Sequence, residues 1–135
     1  MNDTKEAHMR SIAGTLNSVE LIGWLGNDTE LKTIGQKSKV CSFNVATKRR
    51  TGNASTGYGY ESEWMTVEAW DRLAERCAKN LSRGSRVLVR GSLLTQSWED
   101  KQTGQKKYRT VVRANDCVVL SPVETDESVD ETDEA

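Results

Sequence analysis

Residues 63–70 read Glu-Trp-Met-Thr-Val-Glu-Ala-Trp, and their polarity alternates with a period of two. Side chains alternate across a strand, so Met65, Val67 and Ala69 point one way, and Trp64, Thr66, Glu68 and Trp70 the other. The small apolar set makes a core face. Both tryptophans then share a face with a threonine and a glutamate, an unusual placement for packing residues. Such a face is covered by another subunit or by a terminal arm, or it meets a ligand. The pattern predicts Trp64 and Trp70 partly exposed, with Met65 and Val67 buried.

The rest of the chain organises around this strand. Residues 18–26 alternate, with Val19, Leu21 and Leu25 on one face; Gly23 and Gly26 suggest a bend or bulge. Residues 39–48 place Cys41, Phe43 and Val45 on one face and Ser42 and Asn44 on the other. Residues 50–60 are rich in glycine, serine and threonine and read as a flexible hairpin loop. After the tryptophan strand, Leu73, Ala74, Cys77, Ala78 and Leu81 recur at helical spacing behind Asp71, a candidate N-cap. Gly84 suits the reversal that follows. Residues 86–98 put Val87, Val89 and Leu93 on one face and Arg86, Arg90 and Trp98 on the other. A polar turn at 100–105 leads into a last strand over 106–120. Three strands, one short helix and two strands is the order of an OB-fold, a five-stranded all-β barrel.

Charge divides the chain. All 19 Lys and Arg precede Ser121, whereas seven of the 20 Asp and Glu follow it, so residues 1–120 carry a formal +6 and residues 121–135 carry −7. The division predicts a flexible N-terminal arm over 1–17, a domain over 18–120 and a disordered acidic tail over 121–135. A tethered polyanion is expected to compete with any other polyanion for the basic body.

Several function classes lose support. Cys41, Cys77 and Cys117 lie far apart along the chain and show no zinc or disulfide spacing; they read as small buried apolar residues in a reducing compartment. His8, the single histidine, sits in a polar stretch without ligand-like neighbours. No internal repeat, phosphate-binding glycine motif, nucleophile–histidine pairing or carboxylate cluster stands out, so no catalytic residue, metal or cofactor is expected. No apolar run suggests a membrane span or signal peptide. A soluble, intracellular protein is expected.

A sequence-tolerant binder of single-stranded nucleic acid needs cations for phosphates and rings for unstacked bases, interleaved along one groove. Lys48, Arg49 and Arg50 open the long loop; Tyr58 and Tyr60 close it before Trp64. Trp98 stands ahead of a turn leading to Lys106, Lys107, Tyr108 and Arg109. Arg72, Arg86 and Arg90 complete the candidate set, with Trp64, Trp70 and Trp98 as its rings. A Lys-Arg-Arg run is by itself often a solvated turn, and its coincidence with the misplaced tryptophans gives it weight.

Over residues 18–120 the chain resembles the bacterial and mitochondrial-type single-stranded DNA-binding proteins. The resemblance rests on Ser18-Val-Glu-Leu-Ile-Gly-Trp-Leu-Gly-Asn-Asp28, on Phe43-Asn-Val-Ala-Thr47, and on Glu63-Trp64 leading to Trp70-Asp-Arg-Leu-Ala-Glu75. It continues through Leu81-Ser-Arg-Gly-Ser-Arg-Val-Leu-Val-Arg-Gly91, Leu94-Thr-Gln-Ser-Trp98 and Thr103-Gly to Tyr108. It implies an OB-fold core, usually a homotetramer, coating single strands in replication, recombination and repair, with bases stacked on the positions of Trp64, Trp70 and Trp98. Three departures stand out. Arg50 and Thr51 occupy the region of an early loop tryptophan, Trp24 replaces an asparagine, and the tail ends Asp133-Glu134-Ala135 where relatives end in Pro-Phe. That ending puts recruitment of repair and replication proteins in doubt. The alternatives are an RNA-binding or translation-associated OB domain and an adaptor domain in a larger assembly.

Overall fold

A computed structural model describes residues 14–121. The expected arm, apart from residues 14–17, and the expected disordered tail beyond Ser121 lie outside the described residues. The elements run β1 Val19–Leu25, β2 Glu30–Ile34, β3 Ser38–Asn53, β4 Gly57–Trp70, α1 Asp71–Asn80, β5 Arg86–Glu99 and β6 Lys106–Val119. No helix here is long and apolar enough to cross a membrane.

Five strands close on one another. β1 pairs antiparallel with β5 and, at Trp24 and Leu25, with β3; β3 pairs with β4, and β5 with β6. The circuit closes where β4 meets β6 in a short parallel pair, Val67 opposite Val112 and Glu68 opposite Arg113. This is the expected five-stranded OB-fold barrel. β2 was absent from the sequence reading. It pairs along β3 residues 38–42, beyond the stretch that β1 uses, and so continues the first strand's path on the same edge. Its five residues are all exposed, which explains why they show no alternation.

Closing a barrel forces backbones together at the crossings. β6 carries a bulge in its ladder with β5: Arg90 faces Asp116 and Gly91 faces Ala114, leaving Asn115 unpaired. A Cβ on Gly91 would run into the Arg113 carbonyl, and one on Gly23 into the Ala46 carbonyl where β1 crosses β3. Glycine permits both approaches.

The inward parity of each strand fills the barrel. Cys41, Phe43 and Val45 of β3, Val67 and Ala69 of β4, Val87 and Val89 of β5, and Val112 of β6 are fully buried or nearly so. Ala74, Cys77 and Leu81 of the helical stripe pack onto the same core. Leu93 keeps the face of Val87 and Val89, opposite the buried Val112, yet is itself exposed. Asn17, in the presumed arm, is held by Leu93, donating from its amide to the Leu93 carbonyl and accepting from its N–H, both at 2.8 Å.

Three local readings need correction. Residues 50–60 are mostly strand: β3 and β4 stay paired out to Asn53 and Gly57, and only residues 54–56 form the turn. Asp71 is not the N-cap. Trp70 occupies that position without a side-chain cap, while Asp71 takes a left-handed φ of 57° and accepts a hydrogen bond from the Lys39 N–H at 3.2 Å. Cys77 and Cys117, distant in sequence, come together between α1 and β6, lining one small cavity. The adjoining Cys77 thiol and burial hold the Cys117 thiol well above its ordinary range, and burial pushes the Cys41 thiol up to about 11.

The strand parity can be tested by a matched pair of truncations. Phe43→Ala, at an inward ring 1% exposed, is expected to lower unfolding free energy by about 3–5 kcal/mol in urea titration. Trp64→Ala, on the outward parity, is expected to change it by no more than about 0.5 kcal/mol. Equal losses at the two sites would refute the parity.

Candidate nucleic-acid interface

The alternation through residues 63–70 survives folding, and β4 carries it outward to its neighbours. Val67 and Ala69 face the core, while Trp64 lies on the outer parity and is 56% exposed. Met65, expected to be buried, is only half-buried at the barrel end. Residues directly opposite in a sheet share a face, so strand register shows which side chains stand beside each tryptophan.

On the β3 side, Ala46 faces Trp64, Lys48 faces Ser62, Arg50 faces Tyr60 and Gly52 faces Tyr58. Trp64, Lys48, Arg50, Tyr60 and Tyr58 therefore line one face of the long hairpin. Arg50 lies 3.9 Å over the Tyr58 ring centroid, a cation–π contact that holds both groups in place. Arg49, between the other two cations in sequence, projects from the opposite face. Its guanidinium bonds Glu63 and Glu61, each at 2.9 Å. The Glu63 hydrogen bond, then the charges of Glu63 and Glu61, hold Arg49 above its ordinary range. Pairing thus divides the Lys-Arg-Arg run, with two cations beside the rings and one tied to carboxylates.

On the β6 side, the outer parity carries Lys107, Arg109 and Arg113, and across β5 it carries Gln96 and Trp98. Trp98 faces Lys107 and is 48% exposed. Glu68 shares this parity yet is buried. Gln96 Nε2 donates to its Oε1 at 2.9 Å, and Arg109 Nη2 reaches its Oε2 at 3.4 Å. Arg109 therefore bridges Glu68 and Gln96, bracing the hairpin that displays Trp98. Trp70 is more enclosed than Trp64: it is half-buried, and its indole N–H is buried with no hydrogen-bond partner among the described residues. Arg113 lies 5.2 Å over its ring. Sequence reading passed over Arg113, although its odd-numbered alternation with Lys107 and Arg109 signals it.

The remaining candidates are scattered. Lys106 and Tyr108 occupy the opposite face of the β5–β6 hairpin, 6.0 Å apart as cation and ring centroid. Arg90 is bound to Glu20 at 2.6 Å, and Lys107 lies 3.7 Å from Asp100. Arg72 is exposed on α1 rather than on a strand. Among the described residues, Lys48, Arg50, Arg72, Arg86 and Lys106 make no ion pair. No group of three or more His, Cys, Asp or Glu among them is placed to hold a metal.

The Single-strand binding protein family matches residues 16–120, the whole barrel with both hairpins. The chain belongs to that family. It is 38% identical over 109 residues to Single-stranded DNA-binding protein 1 of Chlorobaculum tepidum, covering 81% of this chain and 67% of that one. It is 33% identical over 106 residues to a Nostoc protein of the same name, covering 78% and 84%. Among solved structures, the Plasmodium falciparum SSB in complex with ssDNA superposes with a TM-score of 0.71 at 29% identity, over 79% of this chain and 96% of that chain. A deletion mutant of the Thermus aquaticus single-stranded DNA binding protein gives 0.70 at 26% identity. The match covers 78% of this chain but only 51% of that one, so this chain spans about half its length.

Within the family barrel, the position of the Trp64 ring depends on Gly26. A Cβ there would occupy the space of the ring's outer atoms. Gly26→Ala is expected to push the indole off the β1 end and red-shift its emission, read in a variant with the other three tryptophans changed to phenylalanine. Unchanged emission would place the ring elsewhere.

Proposed function

We propose that this protein binds single-stranded DNA without sequence preference, protecting it during replication, recombination and repair, and does so without catalysing a reaction. One observation carries the reading: the outer parity of β4, of β3 beside it and, across β6, of β5 displays Trp64 and Trp98 together with Lys48 and Arg50. Every base has a π-face, so stacking tolerates any sequence and is worth about 1–3 kcal/mol per base. Lys48 and Arg50 are free of ion pairs among the described residues and stand beside the rings, where phosphates linking stacked bases would pass. Arg49, Lys107 and Arg109 act here mainly through their carboxylate partners, as braces for the two hairpins, and Arg90 ties β5 to β1 through Glu20. DNA is favoured over RNA by the relatives' names and by the complex with ssDNA.

Fluorescence titration with mixed-sequence single strands at two salt concentrations tests this. Quenching is expected, with log K falling against log salt by about 0.7 per phosphate neutralised. Absence of quenching at low salt overturns the reading, and tighter binding of the matched RNA favours an RNA-binding OB protein.

The reading includes self-association, as a tetramer. Ile22, Leu88 and Val118 form a row across the outer face of β1, β5 and β6; Ile22 is 49% exposed and Val118 40%. An apolar row on a sheet surface is stabilised when a second copy covers it. Light scattering is expected to give four times the chain mass at micromolar concentration, and a monomer there refutes this part.

A further inference from the structure

We propose that Trp24 is an additional base-stacking ring for single-stranded nucleic acid, with Arg86 as its phosphate partner. The proposal rests on the single-strand binding reading above and extends its surface across β1 to the start of β5.

Register places Trp24 there. Trp24 faces Ala46 of β3 on one side and Arg86 of β5 on the other, and Ala46 in turn faces Trp64. Arg86, Trp24, Ala46 and Trp64 therefore form one row on the outer face, running across the strands. Two strand spacings separate the tryptophans, about 10 Å between their Cα atoms. Ala46 projects only a methyl between them, which leaves a shallow trough walled by two indoles. The Trp64 ring leans back over Gly26, two residues beyond Trp24, so both rings gather at the same end of β1.

Trp24 is not serving the core. Gly23 and Leu25 take the inward positions of β1, whereas Trp24 is 48% exposed. An indole left half in water gains little from folding, and what it lacks is a flat apolar partner. The charge around it favours a nucleobase with its phosphate over an apolar protein surface. The Arg86 guanidinium lies 5.7 Å from the Trp24 ring centroid and has no carboxylate partner among the described residues. The row contains no acidic residue, and the same face continues into Lys48, Arg50, Tyr60 and Tyr58. Arg86 supplies a planar, charged fork beside a ring, the combination that engages a phosphate next to a stacked base.

The test uses the full chain and fluorescently labelled oligo-dT, read by anisotropy at low salt. Trp24→Ala is expected to weaken binding about 5- to 150-fold, the loss of one stacked base. Trp24→Phe is expected to recover most of the affinity, because a smaller ring still stacks. The mass by light scattering is expected to stay at the wild-type value. Wild-type affinity in Trp24→Ala, while Trp64→Ala is weakened, overturns the proposal and leaves the general reading standing. A smaller mass for Trp24→Ala also overturns it, assigning the ring to a contact between copies of the chain. Failure of the wild-type protein itself to bind oligo-dT removes the reading on which the proposal rests.

Discussion

The barrel closes through a parallel contact of two residue pairs, Val67 with Val112 and Glu68 with Arg113. All other pairings are antiparallel, most of them between neighbours joined by a hairpin or a short connection. At this contact β6 is paired on both edges, since Val112 and Arg113 also face Leu93 and Ser92 of β5, and Asn115 bulges out of the β5 ladder just beyond. Once the circuit is closed, each strand has an inside and an outside, and the small interior admits only modest side chains. Phe43 is the largest ring to enter it fully. The four tryptophans lie on the outward parity because the interior is already filled by valine, alanine and cysteine.

Outward placement leaves Trp24, Trp64 and Trp98 exposed on the surface. The β3–β4 and β5–β6 hairpins extend well beyond the barrel, and each is a two-sided ribbon whose faces differ in chemistry. The face continuous with Trp64 carries free cations and tyrosines, whereas the reverse face of the first hairpin holds Arg49 between Glu61 and Glu63. Exposed ion pairs of this kind add little stability. Here they tie the Arg49 guanidinium to the reverse face, away from Trp64. Glu68 acts similarly at the root of the second hairpin, where it is shielded from solvent and shared between Gln96 and Arg109.

The cysteines illustrate how folding alters simple chemistry. Cys41 behaves as a small apolar residue, as its isolation in the sequence suggested. Cys117 is different, because β6 brings it against Cys77 under the edge of α1. Thiolates are the reactive form of cysteine, and burial raises the cost of forming one at Cys41, whose thiol stays protonated at neutral pH.

Much of this protein was legible in the chain itself. Period-two alternation marked β1, β3, β4 and β5, the helical stripe marked α1, and their order indicated the OB-fold, because side-chain direction in a strand depends only on local backbone geometry. The misplaced tryptophans of β4 pointed to a surface role for the same reason. Sequence alone did not reveal β2, whose residues bury no face, or the ribbon character of residues 50–60, since pairing rather than hydrophobicity makes them strand. Nor could it separate Arg49 from Lys48 and Arg50, enclose Trp70, join Cys77 to Cys117, or set Trp24 in a row with Trp64. Those facts are relations between strands. Local periodicity says which way a side chain points, but only register in the closed barrel decides what stands beside it.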